Sequence, residues 1–296
     1  MNGTLKQLLR SATSFLKKLR MYGTEVCLVM DDQILEKLNS VLDRKLEINS
    51  LGALTTSVTA KQKEEQDLNE TAIAIDSSAF LRMSKISRSE DVIDYMLSQH
   101  KAPLILPGQV IQEFWNNQLS AIDTQAVSLR KKHEELKGIT SKIDSAFEEF
   151  HSDMGKLLSD FEANHGYIYD ESTRHSTMQA LRALEQKAIV PYVPRLRFYQ
   201  MAVARKRTKT PPGFKDDGDG DFYVWLDLLY GLMKAKQQGA KFSHVIFVTN
   251  DVKPDWSRNG IAHPILAAEM GAAVGATLEV FKVEQFGKMI IDKSSL

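Results

Sequence analysis

Thr71-Ala72-Ile73-Ala74-Ile75-Asp76 reads as a strand buried on both sides. Residues 72 to 75 carry only apolar side chains, so neither face is built for water, and polar residues flank the run. Further along, Pro103-Leu104-Ile105-Leu106-Pro107 and Val245-Ile246-Phe247-Val248 have the same character. Between them lie helical patterns. Ser87 and Glu90 have capping-box spacing ahead of Val92, Ile93, Met96 and Leu97. Gly108 opens a helix carrying Val110, Ile111, Phe114 and Trp115. After the Val245 strand, His263 to Gly275 reads as a helix, Thr277 to Val283 as an alternating edge strand, and Val283 to Ile291 as a last helix. Strands alternating with helices predict a three-layer α/β/α domain with a mostly parallel central sheet.

The middle of the chain breaks that rhythm. Ile122, Ala126, Leu129, His133, Leu136, Thr140, Ile143, Phe147, Phe150, Met154, Leu157 and Phe161 recur at spacings of four and three, which is a heptad seam. Helical throughout, residues 115 to 163 would span roughly 70 Å. Gly138 and Gly155 are candidate bends, and a helix over about 171 to 187 is placed to fold back along the first. The expected organisation is a helical extension over residues 1–70, ending in a charged linker from Lys61, then an α/β domain over 71–296 interrupted by a helical, coiled-coil-like insertion over 116–189. The seam is a candidate surface for a second copy or another protein.

The formal net charge is zero, so any affinity for nucleic acid has to come from a local patch. Cys27 is the only cysteine, which excludes an intramolecular disulfide and a cysteine zinc cluster and suits a cytoplasmic protein. No apolar run reaches the ~18 residues of a membrane span. The first 24 residues are basic and acid-free, with Leu5, Leu8, Leu9, Ala12, Phe15, Leu16 and Leu19 on one helical face. Such a face is expected to pack on protein, with a targeting or membrane-surface role as the alternative.

Acidic residues recur where the predicted strands end or helices begin. Asp76 closes the first strand, Glu113 lies in the first turns of the helix after the second, Asp219 and Asp221 begin the helix from Phe222, and Asp251 follows Val248 by three residues. In a parallel sheet these positions share one edge, where ligands bind. Carboxylates crowded together raise one another's pKa unless a cation neutralises them. Mg²⁺ or Mn²⁺ suits oxygen ligands and hydrolysis of a phosphate ester. Taken singly, an Asp after a strand is usually a helix cap or turn residue, and the coincidence of the four motifs carries the functional reading. Just upstream, Arg205, Lys206, Arg207, Lys209 and Lys215 flank Pro211-Pro212-Gly213-Phe214, a candidate binding surface for a phosphate backbone. A solvated surface loop is the plainer reading of the same charges.

Together these motifs resemble a PIN-like nuclease domain, in the bacterial branch with a strand-end Asp, then Leu-Pro-x-x-Val-x-x-Glu-Phe, Pro-Pro-Gly-aromatic-Lys-Asp, Gly-Asp with a Trp in the next helix, and Thr-x-Asp. The matching residues are Ile75 to Ser78, Leu106 to Phe114, Pro211 to Asp216, Gly220 to Trp225, and Val248 to Asp251, with Lys253 and Asp255-Trp256 beyond. The resemblance implies that Asp76, Glu113, Asp221 and Asp251 bind the metal, with Asp219 the alternative to Asp221. It implies a Mg²⁺- or Mn²⁺-dependent endoribonuclease acting on single-stranded RNA, of a kind often used as a toxin or defence effector. Ser77 and Thr249 would orient water or phosphate. Two readings stay open beside it: a non-catalytic RNA- or protein-binding assembly module, and a nuclease for DNA flaps or single strands.

Overall fold

The structure is a computed structural model, and it describes residues 30–59, 67–83, 86, 88–116, 124–140, 142, 148–165, 178, 180–182, 184–250, 253–258 and 260–294. The expectations for the basic start, for Ser87 and for Asp251 lie outside the described residues.

The central sheet joins β1 (Thr71–Ile75), β2 (Leu104–Ile105), β3 (His244–Val248) and β6 (Thr277–Phe281) in the order β2-β1-β3-β6. All its pairings are parallel. A two-stranded antiparallel ribbon, β4 (Ser257–Arg258) and β5 (Ile261–Ala262), stands apart. Every residue of β1 is buried, as its unbroken apolar sequence requires. The strand over Thr277–Phe281 is indeed at the sheet edge.

The chain steps from β1 outward to β2, then back across to β3 and on to β6. Right-handed crossovers therefore send the helices to both faces. Helices α3 (Ser77–Met83) and α4 (Ser89–Asp94) follow β1, and the last helix, α11 (Val283–Ser294), packs on both. Helices α5 (Gly108–Phe114), α9 (Gly220–Gln237) and α10 (Pro264–Val274) form a second packed series, which α5 joins to α3, with α8 (Arg195–Arg207) ahead of α9. Helix α10 starts as the sequence predicts: the His263 side chain caps the Ile265 N–H at 3.2 Å, and Gly275 ends it at φ 70°. Helix α4 does not. Its cap residue is Arg88, in the left-handed region with φ 56° and without a side-chain cap bond.

The N-terminal segment is less separate than its sequence predicts. Residues 30–42 form helix α1, and its Ile34, Leu35, Leu38, Val41 and Leu42 are buried in the same core as the sheet. Arg197 ties α8 to α1 through Asp32 and Glu36, at 2.6 and 2.5 Å. Helix α2 (Ser50–Thr59) packs on α10. An amphipathic helix needs an apolar surface, and the outer face of α9 and its neighbours supplies one.

The insertion contains α6 (Thr124–Thr140) and α7 (Glu148–His165), which touch each other through the His133 and Phe161 rings, 5.6 Å apart, and a Lys137–Glu162 ion pair. The seam thus meets itself here, and its described part is two helices rather than one long rod. The contact buries the polar members, His133 and Thr140, and leaves Leu136, Phe150 and Leu157 exposed. Among the described residues no helix is long and apolar enough to cross a membrane.

Candidate active site

Strands β1 and β3 end level with each other. Ile75 pairs with Val248, and the Asp76 N–H donates to the Val248 carbonyl at 2.9 Å. The connections leave these two neighbouring strands in opposite directions, so a crevice opens beyond their carboxyl ends. Asp76 and Thr249 sit at its floor.

Hydroxyls orient Asp76. Ser78 Oγ and Thr249 Oγ1 each donate to its Oδ2 at 2.7 Å. Ser77 Oγ is 3.4 Å from Oδ1. Ser78 Oγ also accepts the Asn250 N–H at 3.0 Å, which links the starts of the loops after β1 and β3. Sequence reasoning assigned Ser77 and Thr249 here and gave Ser78 no role. Its position two residues past a strand-end Asp, at the first turn of a helix, is the signal for a hydroxyl facing back onto that Asp.

Glu113 projects from α5 toward the same crevice. Its Oε1 accepts from Gln109 Nε2, one turn back, at 3.2 Å. Burial raises its pKa to about 7, and the charges of Asp76 and Asp216 add to the rise against Gln109 and Lys253. Gly220 gives the carboxylate its room: a Cβ there would stand 2.4 Å from Glu113 Oε1.

Asp221, in the first turn of α9, accepts from Trp256 Nε1 at 3.2 Å and lies 3.8 Å from Lys253 Nζ. Burial and a hydrogen bond with Asp216 push its pKa up to about 8, while Lys253 opposes the shift. Asp216 stays lower because Lys253 Nζ donates to its Oδ2 at 2.6 Å. Asp219 precedes α9 without a side-chain cap bond, and its charge is felt at Tyr223. The structure thus sets Asp221, with Asp216, beside Lys253 and Trp256. Trp256 is held by stacking on Phe247 (centroids 4.8 Å apart) and edge-on to Trp225.

Two backbone devices shape this region. Gly213 adopts φ 81°, and its N–H donates to the buried Asp255 Oδ2 at 2.9 Å. A side chain there would be strained, and its Cβ would stand 2.8 Å from that of Asp221. Lys206 Nζ donates to the Asp217 carbonyl and, at 3.5 Å, to that of Gly218, which closes the acidic turn.

One expected binding residue has a different role. Arg205 is 5% exposed and binds Glu269 through Nη1 (2.8 Å) and Nη2 (3.1 Å). Glu269 also accepts from Arg44 (2.7 Å) and Trp225 Nε1 (2.8 Å). The guanidinium is committed to a buried carboxylate, since a lone charge there would be costly, and is not offered to a ligand. Arg207, Lys209 and Lys215 are exposed.

The crevice therefore gathers carboxylates from three elements, with one ammonium among them. Oxygen-only donors, two of them (Glu113 and Asp221) with pKa values raised chiefly by burial, suit a hard divalent cation. Among the described residues no group of three His, Cys, Asp or Glu side chains closes on a common metal position.

A family model described as a PIN-like domain matches residues 194–265. The match runs from α8 through β5 to the start of α10, and it bears out the resemblance to that family over those residues. It includes Asp221, Thr249, Lys253 and Trp256 and leaves Asp76 and Glu113 outside. No curated protein and no solved structure matches the chain.

Proposed function

We propose, for a chain that is PIN-like over residues 194–265, that it is a Mg²⁺- or Mn²⁺-dependent endoribonuclease. The observation that carries this reading is a chain of neighbouring charges beyond β1 and β3: Asp76 and Asp216 act on the buried Glu113, and Asp216 shares Lys253 with Asp221, next to the Gly220 that faces the Glu113 carboxylate. Asp76, Glu113 and Asp221, with Asp251, would hold the cation. When bound, it would supply an activated water and charge stabilisation on the phosphate.

The chain's own groups have definable tasks. Ser78 and Thr249 fix the Asp76 carboxylate through its Oδ2, which removes the cost of orienting it during reaction. Glu113 and Asp221 release their protons as positive charge enters. Lys253 Nζ, placed between Asp216 and Asp221, would offset negative charge on a bound phosphate. Exposed Arg207, Lys209 and Lys215 lie near enough in sequence to the acidic turn to attract the strand backbone.

The test is cleavage of a single-stranded RNA by the purified chain with Mn²⁺, comparing wild type with Asp76→Asn and Asp251→Asn. A loss of about 100-fold or more is expected in each variant. Equal rates in all three would reject the reading. A DNA strand of the same sequence in parallel reports whether the 2′-hydroxyl matters.

The exposed Leu136, Ile139, Phe150 and Leu157 favour a second reading, in which the insertion docks on another copy or protein and the domain binds without cutting. Calorimetric titration with Mn²⁺ separates the two. Binding lost in Asp76→Asn supports the enzyme, and no binding by wild type supports the assembly module.

A further inference from the structure

Beside the acidic crevice lies a layered surface of rings and one guanidinium that the hydrolytic reading leaves without a task. Asp227, fully buried on α9, receives Arg195 in a two-pronged ion pair at 3.1 and 2.9 Å. It also accepts the backbone N–H groups of Gln109 and Val193, each at 2.9 Å. This arrangement fixes the plane of the guanidinium and neutralises most of its charge. The Arg195 guanidinium carbon lies 4.5 Å from the Tyr223 ring centroid and 5.9 Å from that of Tyr192. Tyr223 donates its hydroxyl to the Arg195 carbonyl at 3.2 Å. Tyr199, one turn along α8 from Arg195, is close enough to act electrostatically on Tyr223.

Two of these rings are on the surface, and Tyr223 is half-buried against the core. Tyr192 is 54% exposed and Tyr199 52%. They are also continuous with the crevice. Tyr223 lies one turn into α9 from Gly220, which the Glu113 carboxylate touches. The Tyr192 ring rests on Gly108, where a Cβ would come within 2.3 Å of it, and the next residue, Gln109, holds Glu113.

We propose that Tyr192, Arg195, Tyr199 and Tyr223 form a stacking platform for the unpaired bases of a single-stranded nucleic acid whose backbone enters the acidic crevice. The proposal rests on the phosphodiesterase reading and specifies its substrate. A guanidinium neutralised by Asp227 is a weak phosphate clamp, yet its flat face still stacks on π systems. Every base presents a π face once unpaired, whereas a duplex keeps those faces to itself. An exposed aromatic patch also suits a protein partner. Continuity with the acidic crevice, where the hydrolytic reading places the phosphodiester beside a cation, favours bases.

The test measures binding of the full chain to a labelled ten-nucleotide single strand by fluorescence anisotropy, with Ca²⁺ in place of the hydrolytic ion. Tyr192→Ala and Tyr199→Ala are each expected to weaken binding about tenfold, the usual worth of one base–aromatic stack. Tyr192→Phe and Tyr199→Phe should bind as wild type does. A strand of the same length lacking its bases should bind all variants alike. Alanine variants that melt as wild type does and bind the base-bearing strand unchanged overturn the proposal. So does equal weakening toward both strands, or a phenylalanine variant as weak as its alanine counterpart. Should Tyr192→Ala, whose ring packs on Gly108, unfold, Tyr199→Ala decides. Cleavage with Mn²⁺ alongside ring-independent binding leaves the hydrolytic reading standing and sinks this one. Ring-dependent binding without cleavage does the reverse.

Discussion

At Asp76 the carboxylate is oriented by hydroxyls and no cation is needed to hold it. Ser78 carries most of that duty, because one oxygen serves Asp76, Asn250 and, at 3.3 Å, Thr249. Ser78→Ala is expected to slow Mn²⁺-dependent cleavage about tenfold while costing only about 1 kcal/mol of stability, the worth of a lost partly buried hydrogen bond. Single-turnover rates and a melting curve on the same preparation check both. Glu113 and Asp221 give a second expectation at this scale. With pKa values of about 7 and 8, both hold protons at pH 6 that a cation must displace. Mn²⁺ affinity should therefore rise from pH 6 to pH 8.5 with proton release. Titration in buffers of different ionisation enthalpy measures the protons released, and Glu113→Gln should reduce their number. The strand-end Asp and the adjacent Ser77 were legible in the sequence because they are consecutive, whereas the part played by Ser78 depends on the turn of α3 that brings its hydroxyl back onto Asp76. Trp256 and Lys253 were legible only as neighbours of a motif, since their contacts to Asp221 span 35 and 32 residues.

Helix α8 shows how a charge run can divide its members between interior and surface. Arg205 and Arg207 are two residues apart, so a helical period of 3.6 turns them to different sides. Arg205 faces Glu269 in the core and Arg207 faces water. Removing a partner from a buried pair costs about 3–5 kcal/mol. Arg205→Ala is thus expected to lower the denaturation midpoint sharply. Arg207→Ala should leave it unchanged and weaken RNA binding in a salt-dependent way. Comparable effects from the two substitutions would contradict the burial of Arg205. In sequence both are members of one basic run, because the partner that distinguishes them, Glu269, lies 64 residues away.

For the protein taken entire, two further outcomes are expected. Without metal, Glu113 has a folded pKa of about 7 against 4.5 for an unperturbed group. The folded state therefore binds more protons than the unfolded one between those values. Stability should fall as pH rises through that window, by roughly 2–3 kcal/mol, and then level off. Asp221 acts in the same direction over 3.8 to about 8. Urea midpoints from pH 4.5 to pH 8 test this, and Glu113→Gln should flatten the slope. The second outcome concerns the parts. The buried core includes Leu38 and Val41 but, among the described residues, none between 115 and 179. Replacing residues 119–176 with a flexible linker of about 15 residues should leave a cooperative fold. Deleting residues 1–59 removes several buried Leu, Ile and Val, each worth about 1.5–3 kcal/mol, and should leave no folded protein. Circular dichroism melts of the two deletions distinguish these outcomes.

The alternation of apolar runs with amphipathic helices was enough to specify a parallel α/β sheet, because burial on both faces leaves its mark on every residue of a strand such as β1. The acids at strand ends and helix starts were equally visible, since a parallel sheet puts those positions at one edge whatever the details. Which carboxylates actually face each other, and which arginine is interior, required the tertiary structure. Those outcomes depend on contacts between Asp221 and Trp256, Glu113 and Gly220, or Arg205 and Glu269, pairs far apart along the chain. Local sequence sets a side chain's backbone and its periodicity. Only the packing of separate elements sets its dielectric surroundings and its neighbours, and from these come its charge state and its use.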